Sequence, residues 1–456
     1  MKNILRKFDK SLILFLQLIL YLLLMCIFIM IMRIENPAIA VLSRTMGITL
    51  TTYIISGLLF LRVYGRYDIG RKKSKPIIYS ISLAVVLTDL VTYIQVMIMN
   101  TISPNWRDIQ FRSIHLLIAV IIVQIIVIIL FVYGGNALYF RVHDPEKCCI
   151  VVEDKKSAIR VLKAIKKYKK QYKVESIINY NSVKLYKKID ESKTVFLSSV
   201  PLDKRGEIIK YCYEKRKNIY ISPEISDIVE ASSEYYLLDD TTLLVYSASG
   251  LSMEQRIIKR LMDIVLALIT GVIALPIGLI CAVSIKLYDK GPVFFKQKRA
   301  TINGKVFWVY KFRTMRENVE NRSAQKNDDR ITLPGKWLRK TRLDELPQIL
   351  NILNGDMSFV GPRPEMIENV ESYMEELPEF KYRLKVKAGL TGYAQIAGKY
   401  NTTPREKLLM DLSYIEGFSI WKDMQLLLQT VIVLLKKDST EGFDDDLECE
   451  KIIIEE

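Results

Sequence analysis

Four long apolar stretches in the first third of the chain constrain the fold more than any other feature of the sequence. A helix of about 20 apolar residues crosses the hydrocarbon core of a bilayer. Lipid offers no hydrogen bonds to backbone N–H and C=O groups, so a single segment that crosses must be a helix. We therefore predict a four-helix transmembrane region over residues 1–143. The windows are Ser11 to Met32, Thr45 to Leu61, Pro76 to Trp106 and Ser113 to Phe140. The third contains the chain's one intramembrane acid, Asp89, which is either functional or a polar contact between helices.

Basic residues in the short loops predict the orientation of these helices. Lys2, Arg6, Lys7 and Lys10 precede the first window, and six more basic residues lie between Arg62 and Lys75. The other two loops together carry only Arg33, Arg44, Arg107 and Arg112. Because positive loops stay in the cytoplasm, both ends of the four-helix region should face it, together with everything after Arg141.

The net charge of +16 raises the question of a nucleic-acid partner. The basic residues concentrate beside hydrophobic segments, so anionic membrane lipids and a phosphorylated substrate explain them better, and we expect no nucleic-acid partner. The six cysteines form no C-x-x-C pair and have no histidine at metal-ligand spacing, which favours reduced thiols in the cytoplasm.

Residues 144–250 alternate between apolar and amphipathic segments, which is typical of a small parallel α/β sheet, and we predict a Rossmann-like domain. The predicted strands are Cys148 to Val152, Val174 to Ile178, Thr194 to Ser198 and Asn218 to Ile221. The turn after the first strand, Val152 to Ser157, has no glycine and carries Glu153 and Asp154. Because a pyrophosphate needs close backbone approach and no acidic neighbours, we expect no dinucleotide cofactor.

A fifth apolar segment, Ile264 to Ile285, is also long enough to span a bilayer. Crossing would put the basic region from Lys286 to Lys340 outside the cell, against the charge rule. Pro276 lies at its middle, so we predict a reentrant helix over residues 260–287 that enters and leaves on one face. A fifth spanning helix with a proline kink is the alternative.

Two adjacent carboxylates, Asp344 and Glu345, lie among basic residues just before Pro347. The leucine spacing predicts an amphipathic helix over Pro334 to Leu353, which Pro347 would open beside the two acids. Consecutive helical residues point about 100° apart, so one carboxylate can attack while the other holds a metal or a proton. Such pairs on solvated helices are usually inert, but Arg339, Lys340, Arg342 and the later turn at Arg363 favour phosphate chemistry.

Five motifs follow in order over about two hundred residues. They are Pro292-Val293-Phe294-Phe295-Lys296-Gln297-Lys298-Arg299, Tyr310-Lys311-Phe312-Arg313-Thr314-Met315, Leu343-Asp344-Glu345-Leu346-Pro347-Gln348, Phe359-Val360-Gly361-Pro362-Arg363-Pro364 and Gly389-Leu390-Thr391-Gly392-Tyr393-Ala394-Gln395. Together they resemble the bacterial sugar transferases, the monotopic polyprenyl-phosphate phosphoglycosyl transferases that begin exopolysaccharide, capsule and O-antigen assembly. The resemblance implies a mostly α-helical catalytic domain over residues 251–440 with a reentrant helix. The acidic residues after it predict a solvated tail at 441–456.

The resemblance also implies a reaction. Such enzymes transfer a sugar 1-phosphate from a UDP-sugar to undecaprenyl phosphate and release UMP, with Mg²⁺ and a covalent phosphosugar on aspartate. Asp344 would be the nucleophile, and Asp344 and Glu345 the catalytic and metal-binding residues. The substrate-binding residues would be Lys311, Arg313, Arg339, Arg363, Gln395 and Asp411.

The expected place of the protein is the bacterial inner membrane, with the catalytic domain on the cytoplasmic face. A homodimer is left open, as are the sugar carried and the carboxylate that binds the metal. The alternative function is a non-enzymatic membrane scaffold or ligand sensor within a polysaccharide assembly complex.

Overall fold

A computed structural model describes residues 9–65, 67–70, 72–100, 111–246, 251–316, 328–398, 402–435 and 454–455. The chain forms two compact units, residues 1–222 with 447–456, and residues 223–446. The sequence places the boundary between the Rossmann-like domain and the catalytic domain at residue 250, whereas the second compact unit begins at residue 223.

Four long helices open the first unit and match the four apolar windows. They are α1 (Asp9–Met32), α2 (Arg44–Tyr64), α3 (Ser74–Met99) and α4 (Ile114–Val142), and each is long and apolar enough to cross a membrane. The four predicted helices are thus present, with the length and apolar composition that spanning a membrane requires. Helix α3 ends at Met99, and residues 101–106 of the third window lie outside the described residues. Asp89 of α3 is fully buried, and Gln124 Nε2 of α4 lies 3.4 Å from its Oδ1. A polar contact between two membrane helices is therefore present.

The rest of the first unit is a four-stranded parallel sheet with helices between its strands, as the alternating pattern predicts. The order along the chain is β1 (Glu146–Val152), α5 (Lys155–Lys166), β2 (Tyr172–Asn179), α6 (Leu185–Glu191), β3 (Thr194–Ser198), α7 (Leu202–Glu214) and β4 (Asn218–Ile221). The strand order is β2-β1-β3-β4. Five residues of central β1, Cys148 to Val152, are buried, as expected for a strand covered on both faces. The Rossmann-like assignment stays a prediction.

Two local features complete this unit. Asp154 Oδ1 accepts the Ser157 N–H at 2.6 Å and caps α5, so this turn is closed by a side chain. Of the predicted acidic tail, only Ile454 and Glu455 belong to the described residues, and the Asn179 N–H of β2 donates to the Glu455 carbonyl at 3.2 Å. Residues 441–453 and 456 lie outside the described residues.

The second unit is built mainly of helices with short two-stranded sheets. It contains α8 (Ile225–Ala231), a hairpin β5 (Glu234–Leu238) and β6 (Thr241–Val245), and the long helix α9 (Met253–Asp289). Then come the antiparallel ribbon β7 (Phe294–Ala300) and β8 (Val306–Phe312), α10 (Leu333–Thr341), α11 (Gln348–Asn354), β9 (Ser358–Val360) and α12 (Ile367–Glu376). The unit ends with β10 (Gly389–Thr391), α13 (Tyr393–Ala397), α14 (Pro404–Glu416) and α15 (Ile420–Leu435).

One hydrophobic core joins these elements. Phe307 and Val309 of β8 pack with Ile352 of α11, Val360 of β9 and Leu412 of α14. Alternate residues of β8 enter this core, so the residues between them face away from it. The core fixes the ribbon, α11 and the β9 loop relative to one another.

Helix α9 is 37 residues long and continues through Pro276. The prediction of a helix broken at this proline is therefore wrong, because the missing N–H of one proline removes a single hydrogen bond from a long helix. The reentrant path stays a prediction. Most of the middle of α9 is unpacked, and Val272 and Leu275 are 76% and 73% exposed. Large apolar side chains at such exposure are suited to lipid rather than to water.

The prediction of one amphipathic helix from Pro334 to Leu353 is wrong. The segment is α10, a 3₁₀ turn at Leu343–Glu345, and α11. The break occurs at Arg342, whose backbone is left-handed with φ of 57° and whose N–H caps α10. Pro347 does not open a helix but stands immediately before α11, where a missing N–H costs nothing.

Candidate active site

The 3₁₀ turn between α10 and α11 carries both acids of the dyad. The leucines on either side of them, Leu343 and Leu346, pack against a cluster formed by Cys281 and Ile285 of α9, Phe312 of β8 and Leu338 of α10. Because apolar residues flank the two carboxylates and are packed on a helix, the turn has a fixed orientation. The dyad therefore lies beside a cluster to which the carboxyl-terminal half of the long apolar helix contributes.

Glu345 is held by two cations. Lys311 Nζ donates to Glu345 Oε1 at 3.0 Å, and Arg363 Nη2 donates to the same oxygen at 2.8 Å. The Glu345 side chain is 14% exposed. Although burial opposes its charged form, Arg363 and Lys311 hold the pKa of Glu345 well below its usual range. Glu345 is thus a permanently charged anchor for Lys311 and Arg363.

Asp344 is in a different state from its neighbour. Its carboxylate makes no side-chain hydrogen bond with the described residues, and it is partly exposed. Burial and the adjacent Glu345 raise the pKa of Asp344, while Lys311, Arg339 and Arg363 act in the opposite direction. An unbonded carboxylate among three cations has its lone pairs available for a reaction. We call Asp344, Glu345, Lys311 and Arg363 the dyad cluster.

Arg339 and Arg313, both predicted to bind substrate, lie in different surroundings. Arg339 Nε donates to Thr314 Oγ1 at 2.8 Å, and its charge influences Asp344. Arg313 pairs instead with Asp289 at the end of α9, and its side chain is 7% exposed. The structure therefore places Arg339 with the dyad cluster and Arg313 at the junction of α9 and β8.

Gln395 and Asp411 are not brought to the dyad cluster either. Gln395 Nε2 donates to the Leu390 carbonyl at 3.1 Å, which closes the turn between β10 and α13. Asp411 is 1% exposed and accepts from Arg383 Nε at 2.9 Å. Burial raises the pKa of Asp411, and Arg383 opposes that rise. Substrate binding by either residue stays a prediction.

A second group of charges lies behind the loop that carries Arg363. Arg383 Nη2 donates to the Arg363 carbonyl at 2.9 Å. Glu365, the residue after Pro364, accepts from Lys407 Nζ at 3.2 Å. We call Arg383, Asp411, Glu365 and Lys407 the loop-support cluster. Within it, burial favours neutral Glu365, but Lys407 and Arg383 prevail and lower its pKa.

Arg299 adds a second guanidinium to the same loop, because its Nη1 donates to the Pro364 carbonyl at 3.1 Å. Sequence reasoning gave Arg299 and Arg383 no role. Arg299 stands in a motif of the family resemblance, but Arg383 lies in a short 3₁₀ segment without a motif. A single sequence does not reveal that a side chain holds a loop by donating a hydrogen bond to a backbone carbonyl far away in the chain.

Glycines allow the Arg363 loop to approach β10. A Cβ on Gly361 would stand 2.4 Å from the Lys387 carbonyl oxygen, and one on Gly389 would stand 2.1 Å from the Gly361 nitrogen. Such distances exclude any side chain at either position. The backbone contact fixes the start of the loop, and the loop-support cluster fixes its end.

The dyad offers a fit for Mg²⁺, although no group of three or more His, Cys, Asp or Glu side chains forms a metal cage in the described ranges. Mg²⁺ prefers oxygen ligands, keeps several waters and usually takes one or two carboxylates together with substrate phosphates. Asp344 has oxygens free of hydrogen bonds, and Glu345 has one oxygen, Oε1, committed to Lys311 and Arg363. Two adjacent carboxylates with free oxygens fit a phosphate-bound ion.

Comparison with known proteins adds independent information. A family model described as "Bacterial sugar transferase" matches residues 254–437. The chain is 39% identical over 189 residues to the UDP-glucose:undecaprenyl-phosphate glucose-1-phosphate transferase of Caulobacter vibrioides, which covers 40% of this chain and 71% of that protein. A protein of the same description from Xanthomonas campestris is 32% identical over 264 residues, covering 55% of this chain and 54% of that protein.

A third relative differs in its sugar. The UDP-N-acetylgalactosamine-undecaprenyl-phosphate N-acetylgalactosaminephosphotransferase of Aeromonas hydrophila is 42% identical over 184 residues, 39% of this chain and 44% of that protein. The chain thus spans about half or less of the second and third relatives' lengths.

Proposed function

The chain belongs to the bacterial sugar transferase family and is a transferase, and from this premise we propose that it moves a sugar 1-phosphate from a UDP-sugar to undecaprenyl phosphate. The product would be the first lipid-linked intermediate of a bacterial polysaccharide. The observation that carries the proposal is the contrast within the dyad, because an unbonded Asp344 stands beside a Glu345 that holds Lys311 and Arg363.

The proposed reaction has two displacements at one phosphorus. An Asp344 carboxylate oxygen attacks the phosphate attached to the sugar, the bond from that phosphorus to the bridging oxygen breaks, and UMP leaves with the bridging oxygen. A phosphate oxygen of undecaprenyl phosphate then attacks the same phosphorus, and the bond to Asp344 breaks. Each step forms one bond and breaks one, so Asp344 is regenerated.

The cations of the site supply what a carboxylate nucleophile needs. Attack by one anion on a diphosphate requires fixed positive charge near the reacting oxygens. Arg363 has a side chain 40% exposed, so its guanidinium reaches solvent while it stays bound to Glu345. A bound Mg²⁺ would neutralise further phosphate charge, and Asp344 and Glu345 are the residues that would hold it.

We further propose that α9 enters the membrane and returns to the same, cytoplasmic face. The amino-terminal part of α9 is bound to the catalytic unit, since Arg260 donates to the carbonyls of Ile352 and Leu353 at 2.6 and 2.7 Å. Lys259 also forms a buried ion pair with Asp423 of α15.

The carboxyl-terminal part of α9 is bound to the same unit through Cys281 and Ile285, which pack on Phe312 and Leu338. A straight helix of this length would extend about 55 Å, well beyond the roughly 30 Å hydrocarbon core. A single crossing would place one of the two attached ends, with its buried charges, across the membrane from the other. A path that returns keeps both attachments on one side and brings the dyad to the lipid acceptor.

The reaction is tested with full-length protein in lipid discs, given Mg²⁺ and a radiolabelled UDP-sugar but no undecaprenyl phosphate. Donors with glucose, galactose and N-acetylgalactosamine form the panel, because the names of the relatives carry these sugars. We expect one equivalent of UMP per enzyme and a labelled sugar phosphate on the protein. UMP release that requires the lipid acceptor would exclude the covalent step, and inactivity with every donor would favour a scaffold.

The path of α9 is tested by single cysteines at Met253 and Asn303, which are exposed positions on either side of the apolar stretch. In a background without the other cysteines, a membrane-impermeant maleimide should label both from the same side of sealed vesicles. Labelling from opposite sides would establish a spanning helix. Pro276→Leu removes the residue that disfavours a straight helix and should shift the labelling toward that second pattern.

A further inference from the structure

The β7 and β8 ribbon has an exposed face that the catalytic site does not use. In the antiparallel register, Phe294 pairs with Phe312, Lys296 with Tyr310, Lys298 with Trp308 and Ala300 with Val306. Phe307 and Val309 between them point into the core, so the paired residues lie on the opposite face, where Ala300 and Phe312 are buried by other parts of the unit. We call the exposed members, together with half-buried Tyr310, the ribbon face: Phe294, Lys296, Lys298, Val306, Trp308 and Tyr310.

The ribbon face combines large apolar rings with unpaired cations. Phe294, Val306 and Trp308 are 50%, 48% and 49% exposed. Lys296 Nζ lies 5.2 Å from the Tyr310 ring centroid, and Lys298 Nζ lies 5.4 Å from the Trp308 ring centroid. Neither lysine forms a salt bridge with any carboxylate in the described part of the chain, and no acid belongs to the face. A surface of this kind attracts anions, and the described residues of its own unit provide no carboxylate for its two lysines.

The ribbon face continues onto the apolar helix. The rings of Phe294 and Phe312 stack at 5.5 Å, and Phe312 packs on Cys281 and Ile285 of α9. A Cβ at Gly278 would lie 3.5 Å from Phe312, so the end of the ribbon touches α9 two residues after Pro276. The neighbouring Leu279 and Ile280 are 66% and 64% exposed. The apolar end of the ribbon face is thus contiguous with the surface that is suited to lipid.

The chemistry of this arrangement matches a membrane interface. Tryptophan and tyrosine prefer the headgroup level, where the ring is apolar and its polar atom is wet. Lysines beside them attract anionic headgroups and can extend toward them. The two lysine and aromatic pairs are one pleat repeat apart, about 7 Å, and a headgroup layer is about 5–8 Å thick.

We propose that the ribbon face is a second membrane contact of the catalytic unit, beside α9, and that it binds anionic phospholipid headgroups. Phe294 lies deepest, next to α9, and the two lysines bind the lipid phosphates. This contact would fix the tilt of the catalytic unit on the membrane surface in addition to the attachment by α9. The inference is independent of the proposed reaction, because it concerns a face that Asp344 and Glu345 do not share.

Trp308 is a built-in probe for this contact. Full-length protein carrying Trp106→Phe, Trp337→Phe and Trp421→Phe retains only Trp308 and is placed in discs whose lipids carry bromine near the headgroup. We expect strong quenching of the Trp308 emission. The control removes Trp308 as well and places the probe at Tyr213→Trp, which is 83% exposed on α7 of the parallel-sheet domain and should stay unquenched. If Trp308 is quenched no more than the tryptophan of this control, the proposal is overturned. That result is expected if another protein, rather than lipid, covers the ribbon face.

Brominated phosphatidylglycerol and brominated phosphatidylcholine, compared at the same mole fraction, test the preference for anionic lipid. Each lysine near an anionic surface contributes about five-fold in local lipid occupancy, or about 1 kcal/mol. Quenching by the anionic lipid should therefore exceed quenching by the zwitterionic one, and Lys296→Gln with Lys298→Gln should remove the difference but not all quenching. Equal quenching by both lipids in the protein with both lysines overturns the assignment of anionic headgroups. An unchanged elution profile verifies that the double variant is folded.

Discussion

Two groups of charged side chains meet at the Arg363 loop, and they differ in how completely they are paired. In the loop-support cluster, Arg383 and Asp411 are 3% and 1% exposed and bonded to each other. In the dyad cluster, Asp344 has no hydrogen bond from the described side chains, and the Arg363 side chain is 40% exposed. Paired and buried charges have no capacity left for a ligand, so the first group holds the backbone. The second group retains the capacity that a phosphorylated substrate needs.

Arg363 belongs to both groups by different atoms. Its guanidinium binds Glu345 of the dyad cluster, and its carbonyl accepts a hydrogen bond from Arg383 of the loop-support cluster. A side chain that grips phosphate in two places must keep its orientation, and a backbone held at the carbonyl restricts it. We therefore expect substitutions in the dyad cluster to reduce catalysis strongly. Substitutions in the loop-support cluster should reduce stability and disturb the orientation of Arg363.

The largest effect is expected for Asp344→Asn. The amide keeps the shape but removes the nucleophilic charge, so UMP release and turnover should fall by about three orders of magnitude or more. The measurement is the single-turnover release of UMP and the label retained on the enzyme.

Glu345→Gln is the matched control for that variant. It should also slow the reaction severely, because Lys311 and Arg363 lose their anchor, but the ester-forming oxygen remains and slow labelling should persist. If Asp344→Asn still becomes labelled, Asp344 is not the nucleophile and the division between the two clusters fails.

A smaller loss is expected for Arg363→Lys. A point charge cannot replace a guanidinium that binds Glu345 and a phosphate together, so kcat/KM should fall by about ten- to a hundred-fold. Arg405→Lys is the matched control, because Arg405 pairs with Glu224 on the surface of the same unit and its replacement should leave kcat/KM unchanged. If Arg363→Lys and the unaltered protein had equal kcat/KM, the reaction would not need two-point binding by the Arg363 guanidinium.

Asp411→Ala should act mainly on stability. Removing one member of a buried pair leaves Arg383 buried without its carboxylate, which costs about 3–5 kcal/mol of unfolding free energy. Activity should fall more modestly, about ten-fold, because the Arg363 carbonyl keeps part of its support. Thermal unfolding and donor kinetics of one preparation separate the two effects. A raised KM for the donor without a lower Tm would instead support the assignment of Asp411 to substrate binding.

The smallest effect concerns pH. Asp344 must be charged to attack, and burial together with Glu345 raises its pKa. The rate of UMP release should therefore fall at a higher pH than for an ordinary aspartate as the pH is lowered through that raised pKa. Glu345→Gln removes the like charge, so the acidic limb of its profile should move to lower pH. If the acidic limb of the Glu345→Gln profile does not move, burial alone raises the pKa of Asp344.

Much of the fold was predictable from local sequence. Long apolar runs have few alternatives to helices, and buried strands such as Cys148 to Val152 read as continuous apolar residues. The hairpin β5 and β6 was not predicted, because short apolar runs do not distinguish strands from helices. The break at Arg342 was placed wrongly, because proline is visible in a sequence whereas a left-handed arginine is imposed by its surroundings.

The sequence by itself determined the membrane helices, the parallel sheet and the residues of the dyad, because periodicity and adjacent carboxylates are local properties of the chain. Only the tertiary structure decided which acid is bonded and which is free, since Lys311, Glu345 and Arg363 are far apart in sequence and meet by folding. It also decided that Asp411 pairs with Arg383 inside the protein. Charge pairing depends on distance and burial, and both exist only once the chain has folded.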